Sequence, residues 1–159
     1  MVKPIKVYLS GGMEYAYAEG VHWRKDIESW LKTHLGHETF NPNDESDKFF
    51  KNHYPNVNFR EIKNHNIKLY KEIAEKLVEI DTNEIAKNSD YVICYWDDGA
   101  AKGAGTKGEI TMAKYFNKPV YLVTSHSFSS IPGWVIGCAT HIFNNFDELK
   151  NFLLNTYKK

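Results

Sequence analysis

The chain has 159 residues, with 20 Lys and Arg balanced by 20 Asp and Glu. That length buries about two thirds of the unfolded surface, enough for a single domain (residues 1–159) that folds without metal or disulfide staples. The balanced charge excludes the basic excess that drives binding to nucleic acid polymers or anionic membranes, and no apolar stretch nears the roughly 20 residues of a membrane span, nor does a secretory pattern open the chain; a cytoplasmic protein is expected.

Residues Ile5 to Ser10 alternate apolar and polar and stop at Gly11-Gly12, which predicts a first strand ending in a tight loop. Trp23, Ile27, Trp30, Leu31 and Leu35 then recur at helical spacing, and Gly36 stands where a C-terminal cap belongs. A short strand over Glu38 to Phe40 halts at Asn41-Pro42. Residues Asn43 to Arg60 are polar, carry six Asn or Asp, and show no stable period, so they are expected to form a long surface loop or lid.

Ile62 to Ile80 has a helical pattern. "YVICYW", Tyr91 to Trp96, is a continuous apolar run suited to a strand covered on both faces. A glycine-bearing loop then leads into a helix over Thr106 to Asn117, followed by strands at Pro119 to Val123 and Thr140 to Phe143 and a closing helix from Phe146 to Tyr157. Strands alternating with helices predict a three-layer α/β/α domain, a doubly wound sheet of about five mainly parallel strands. Cys94 and Cys138 lack a paired spacing and are expected as free thiols.

In such sheets ligands collect beyond the carboxyl ends of the strands, where the strand order reverses. The loops "SGGMEYA" and "DDGAAKGAGTKGE" both leave strands at that edge and are expected to share a cleft. Glu109 follows the second loop in what the pattern makes the first turn of a helix. Two readings stand. Thr106 and Glu109 have the Thr-x-x-Glu spacing of a capping box, which makes the glutamate a local stabiliser. Alternatively, an ionised carboxylate at the mouth of a cleft is a nucleophile for a carbon that becomes positive in its transition state. "GAGTKG" fits the letters of a dinucleotide fingerprint, but it follows the third strand and lacks the acidic partner about 20 residues on, so no nicotinamide cofactor is expected.

Asp81 stands at the spacing Ile73, Leu77, Asp81, Ile85, so a continuing helix would place a carboxylate on its apolar face. The other reading breaks the helix there and makes Asp81 the cap of a new one, since Asp81 and Glu84 also have capping-box spacing. Tyr8, two residues before the first glycine loop, is either an ordinary strand aromatic or a hydrogen-bond donor to the site.

Taken together, "VYLSGG", the Asn-Pro after the second strand, "EIDTNEIAKNSDYVI", "GTKGEITMA" with "KPVYLV", and the late "IPGWVIG" resemble the nucleoside 2-deoxyribosyltransferase family and its deoxynucleotide N-glycosidase relatives. The resemblance spans nearly the whole chain, least over residues 43–60, and implies a flavodoxin-like fold. It implies that Glu109 attacks the anomeric carbon of a deoxynucleoside, that Tyr8 holds that carboxylate, and that Asp81 contacts the sugar and the glutamate region. Gly11, Gly12, Gly105 and Thr106 would border the substrate. The substrates implied are a 2′-deoxynucleoside or nucleotide and a free nucleobase, with no cofactor and no metal, in a homo-oligomer of at least two subunits whose "IPGWVIG" region completes a neighbour's site.

One departure concerns the base. Many members carry an aspartate in contact with the nucleobase two residues before the motif glycine, where this chain has Gly103; Asp97 or Asp98 is the expected substitute for base recognition or proton donation, with Asp98 favoured. The implied chemistry is a double displacement through a glycosyl ester, with transfer to a second base as the first expectation and hydrolysis of 5′-monophosphates as the alternative. A nucleotide-binding module without catalysis is the reading from another class. Lys102 and Lys107 are either solvated or a 5′-phosphate site. Tyr15, Tyr17 and Trp134 are candidates for stacking on a base. His34 and His37, the one close histidine pair, flank the expected helix end without a third ligand.

Overall fold

The computed structural model describes residues 2–159. Five parallel strands, β1 (Lys6–Gly11), β2 (Glu38–Phe40), β3 (Tyr91–Tyr95), β4 (Val120–Val123) and β5 (His141–Phe143), lie in the order β2-β1-β3-β4-β5. Helix α1 (Val21–Leu35) and helix α8 (Phe146–Tyr157) cover one face. The other face carries α6 (Gly105–Tyr115), α7 (Gly133–Cys138) and a wide π turn, Glu84–Asn88, that continues α4 (Ile67–Asn83). This is the three-layer, flavodoxin-like doubly wound architecture.

Strand alternation assigns the faces. Val7, Leu9, Tyr91, Ile93, Tyr121 and Val123 meet Ile27 and Leu31 of α1 and Leu149 and Leu153 of α8. Tyr8, Val92, Cys94, Val120 and Leu122 meet Ile85, Ile110, Ala113 and Val135 opposite. Each such fully buried aliphatic side chain contributes about 1.5–3 kcal/mol relative to exposure, so these two clusters hold the strand ends in register. The order reverses between β1 and β3, and that crevice is where the topology offers a site.

The stretch from 43 to 60 corrects the expected long loop. Most of it is helix α2 (Pro42–His53), followed by the single turn α3 (Phe59–Ile62). The helix starts where local chemistry dictates: the Asn41 side chain accepts from the Asn43 N–H, Pro42 takes the first helical position, and Asp44 and Glu45 occupy the first turn. Its polar composition hid the period, because only Phe49 and Phe50 mark the inner side. Helix α4 also corrects the alternative in which Asp81 caps a new helix, since the helix runs through it to Asn83.

The first loop leaves β1 through a turn at Tyr17–Gly20 in which Ala18, Glu19 and Gly20 all have left-handed φ, at 48°, 56° and 70°. A Cβ on Gly20 would lie 2.5 Å from the Gly12 carbonyl oxygen. Gly20→Ala is therefore expected to cost about 2–4 kcal/mol, the sum of backbone strain and overpacking, measured as a lower midpoint in denaturant unfolding with an unchanged slope.

Candidate active site

The site is assembled from side chains that point the same way from β1. Tyr8 and Ser10 are two residues apart, so both face α6. There the Tyr8 hydroxyl donates to one carboxylate oxygen of Glu109, and Ser10 Oγ donates to the other at 2.8 Å. The Tyr8 ring is fully buried and stacks on Phe40, its register partner in β2, with centroids 5.2 Å apart and planes at 11°. Tyr8 is thus held by packing at one end and by Glu109 at the other.

Glu109 is not in the first turn of its helix. Helix α6 begins at Gly105, its N-cap is Ala104 with no side-chain capping bond, and no acidic residue lies in the first turn, so the expected Thr106/Glu109 capping box does not form. The glutamate is in the second turn, half-buried, and turned to the sheet. Burial pushes the Glu109 carboxyl above its ordinary value, while the Tyr8 and Ser10 hydrogen bonds and the Arg24 charge pull it back.

Asp81 is the second carboxyl. Burial first, and then the charge of Glu109, push it up to about 8. Two hydroxyls donate to Glu109, whereas no protein hydrogen bond reaches the Asp81 carboxyl among the described residues. When two close carboxyls resist ionising together, hydrogen bonds donated to one of them favour its charged form. The two hydroxyl donors and the Arg24 charge favour the ionised form of Glu109, while burial beside Glu109 favours the protonated form of Asp81. Tyr8 is also raised, by burial and then by Glu109, which keeps its phenol protonated as a donor.

Asp81 also lines a cavity of about 530 Å³. Its walls are Met13, Ala18 and Glu19 of the first loop, Glu45, Phe49 and Phe50 of α2, Phe59 and Arg60 of α3, and Leu77 and Ile80 of α4. The segment expected as a lid therefore builds a wall. Glu109 is not one of the lining residues; Asp81, whose carboxyl feels the Glu109 charge, is.

Other expected site residues have different places. The Asp98 side chain is 99% exposed and pairs with His126 Nε2 at 2.9 Å, so it faces solvent and not Glu109. Asp97 caps a short helix, α5 (Asp98–Lys102), by accepting from the Ala100 N–H at 2.9 Å. Gly11 and Gly12 are required by packing: an added Cβ would come within 2.7 Å of the Trp23 ring at the first and 2.8 Å of the Ala100 N and Gly99 C atoms at the second. Gly105 borders open space, and Thr106 is buried.

The Lys102 ammonium sits over the Tyr15 ring at 4.7 Å, and Lys107 donates to the Ala101 carbonyl. Tyr17 and Trp134 are mostly exposed, and neither lines the cavity. His34 bonds the Trp30 carbonyl and His37 the Tyr91 hydroxyl. Cys94 and Cys138 are free and buried.

Three residues of the site escaped the sequence reading. Ser10 shares the inward face with Tyr8, and strand period alone marks it. Asn43 is buried and donates to the Glu19 carbonyl at 2.9 Å. Arg24, 1% exposed, lies on the inner stripe of α1 three and seven residues before Ile27 and Leu31, a position where a guanidinium is conspicuous.

Topology, crevice and carboxyl pair together define a flavodoxin-like α/β protein with a half-buried acidic site at the β1/β3 switch point. No protein-family model matches the chain, and no curated protein matches it in sequence. Among solved structures it is similar to a 2-deoxyribosyltransferase from the psychrotolerant bacterium Bacillus psychrosaccharolyticus, at 18% identity and a TM-score of 0.61, over 96% of this chain and 95% of that one. The shared feature at that identity is the fold. No helix of the described residues is long and apolar enough to cross a membrane.

Proposed function

We propose that the protein is a nucleoside 2-deoxyribosyltransferase acting through a glutamyl-deoxyribosyl intermediate. The observation that carries this reading is the division of labour between two adjacent carboxyls: Glu109 held as an anion by Tyr8 and Ser10, and Asp81 held as an acid on the cavity wall. The fold similarity to a 2-deoxyribosyltransferase supports it.

A Glu109 oxygen attacks C1′ of a bound 2′-deoxynucleoside as the C1′–N bond breaks, and Asp81 gives its proton to the departing base nitrogen. A second base attacks C1′ of the ester from the opposite face, returns its proton to Asp81, and releases Glu109. Tyr8 and Ser10 keep the carboxylate aimed, and their hydrogen bonds loosen as its charge passes into the ester. Asp81 replaces Asp98 as the group proposed to protonate the base.

The cavity walls favour a nucleoside over a nucleotide. Glu19, Glu45 and Asp47 line them with Arg60 as the one basic residue, and Arg60 is already paired with Glu19 at 3.0 Å. A dianionic 5′-phosphate entering that lining meets like charge. The apolar strip of exposed Tyr115 at the end of α6 and Phe116 after it, with half-buried Met112 and with exposed Trp134 nearby on α7, is the surface on which the proposed homo-oligomer would close.

Incubation with a deoxynucleoside and a different free base is expected to yield the exchanged nucleoside, and a slow 2′-fluoro analogue to leave a sugar adduct on Glu109 by mass spectrometry. Release of free sugar without exchange would move the assignment to hydrolysis. Absence of turnover and adduct with both nucleosides and nucleotides would leave a binding module.

A further inference from the structure

The chain contains two arginines among its 20 Lys and Arg, and both converge on the same turn of the first loop. From outside, Arg60 makes a two-pronged pair with the Glu19 carboxylate, at 3.0 and 3.1 Å. From inside, the buried Arg24 guanidinium donates to the carbonyl oxygens of Leu9, Gly11, Gly12, Glu19 and Gly20 at 2.8–3.3 Å and to Asn43 Oδ1 at 3.2 Å. Five of those six acceptors belong to the end of β1 and the loop after it. Only a planar fork of five N–H donors reaches them all; a lysine ammonium is a point charge with three.

All six acceptors are neutral, so this is a buried cation without a carboxylate in contact. Such a charge is costly unless something nearby compensates it. Carbonyl dipoles supply part of the compensation. The rest comes from the site: burial lowers the Arg24 pKa, and Glu109, then Tyr8, Cys94 and Asp97, oppose that shift.

The groups that interact with Glu109 are Tyr8 and Ser10 from β1, Cys94 from β3 and Asp81 from α4; Asp97 after β3 acts on Cys94 and Arg24, and Glu84 of the π turn acts on Asp81 and is paired with Lys6 at 2.5 Å. Arg24 is the one cation among those that act on it.

We propose that Arg24 is the positioning residue of this site: it bends the Gly11–Gly20 segment into the wall of the cavity, and its charge adds to the Tyr8 and Ser10 hydrogen bonds that favour the Glu109 carboxylate. The proposal rests on the Glu109/Asp81 reading above, but it can be tested without turnover. With two arginines, the side-chain Nε–H resonances of ¹⁵N-labelled protein reduce to two, and Arg60→Lys identifies the one that belongs to Arg60.

The Arg24 resonance is expected to shift with the same midpoint as the Glu109 side-chain carboxyl carbon, assigned through Glu109→Gln, and to lose that step in Glu109→Gln. An Arg24 signal indifferent to the Glu109 midpoint would overturn the electrostatic half of the proposal, whether or not the Arg24 variants fold.

Two variants separate charge from shape. Arg24→Lys keeps the cation and loses the fork: KM for the deoxynucleoside should rise about tenfold while the Glu109 midpoint stays within about half a unit. Arg24→Met loses both, and the Glu109 midpoint should rise by about one unit or more, lowering kcat/KM about tenfold on the acid side. A merely structural arginine would lower thermal stability in both variants and move neither KM nor the midpoint, and that result sinks the proposal. If wild-type protein transfers no sugar, the functional reading fails on its own, while the two carboxyl titrations still decide the role of Arg24.

Discussion

Glu109→Gln is expected to lose sugar exchange by at least about 10⁴-fold, equivalent to about 5.4 kcal/mol of transition-state stabilisation. The amide keeps the volume and accepts the Tyr8 hydrogen bond through its oxygen, so the fold survives while the nucleophile is gone. It should also be more stable than wild type at neutral pH. Burial raises the Glu109 carboxyl above its ordinary value, so the folded state binds a proton that the unfolded chain has released, and stability falls as pH rises through that interval. The amide escapes this loss. Exchange assays with two labelled bases test the first effect and thermal melts at neutral pH the second. Exchange persisting in Glu109→Gln at more than about a tenth of the wild-type rate would remove the mechanism.

Asp81→Asn is expected to reduce kcat by about 10²–10³-fold, the usual worth of a positioned general acid. The pH profile identifies the role. Asp81 is raised to about 8 and works in its protonated form, so wild-type activity should decline as pH rises past about 8; the residual activity of Asp81→Asn should lack that decline. Leaving groups that need no proton should be nearly insensitive to the change. The stability sign is also fixed: the folded value stands far above the unfolded 3.8, so the native state loses stability between those two pH values as pH rises, and Asp81→Asn should gain melting temperature most clearly near pH 8. An unchanged alkaline limb in Asp81→Asn would return the acid role to another group.

Much of this fold was legible because each buried strand announces its face by period. Tyr8, Val92 and Leu122 belong to one layer and Val7, Ile93 and Val123 to the other, as alternation requires. The closing helix, Phe146 to Tyr157, matches its expected bounds, since an amphipathic stripe with an Asn145 cap leaves little ambiguity. Helix α2 was opaque because its polar composition overrides its pattern, although Asn41-Pro42 with two acids behind it is a helix start on capping grounds alone.

Within the site, the spacing that put Asp81 on the apolar face of α4 was the informative signal. The capping-box spacing at Thr106 and Glu109 was misleading, because the helix begins earlier than that reading assumes. Contacts made only in three dimensions, such as Arg24 on five carbonyls of β1 and the loop after it, leave no local trace beyond an improbable residue type on an inner stripe.

The mutual seating of Gly12 and Gly99 has a consequence for how such a protein can change. Gly12 lies against the backbone at Gly99 and Ala100, and Gly99 against Ala16, so that a Cβ added at either would come within 2.8 Å of those atoms. The connections following β1 and β3 therefore move as one piece, and neither can be lengthened or refilled alone. New ligand preferences are more accessible through α2 and α3, whose link to the first loop is by side chains such as Arg60 and Asn43. Substitution libraries confined to residues 45–60 should diversify recognition while sparing the carboxyl pair.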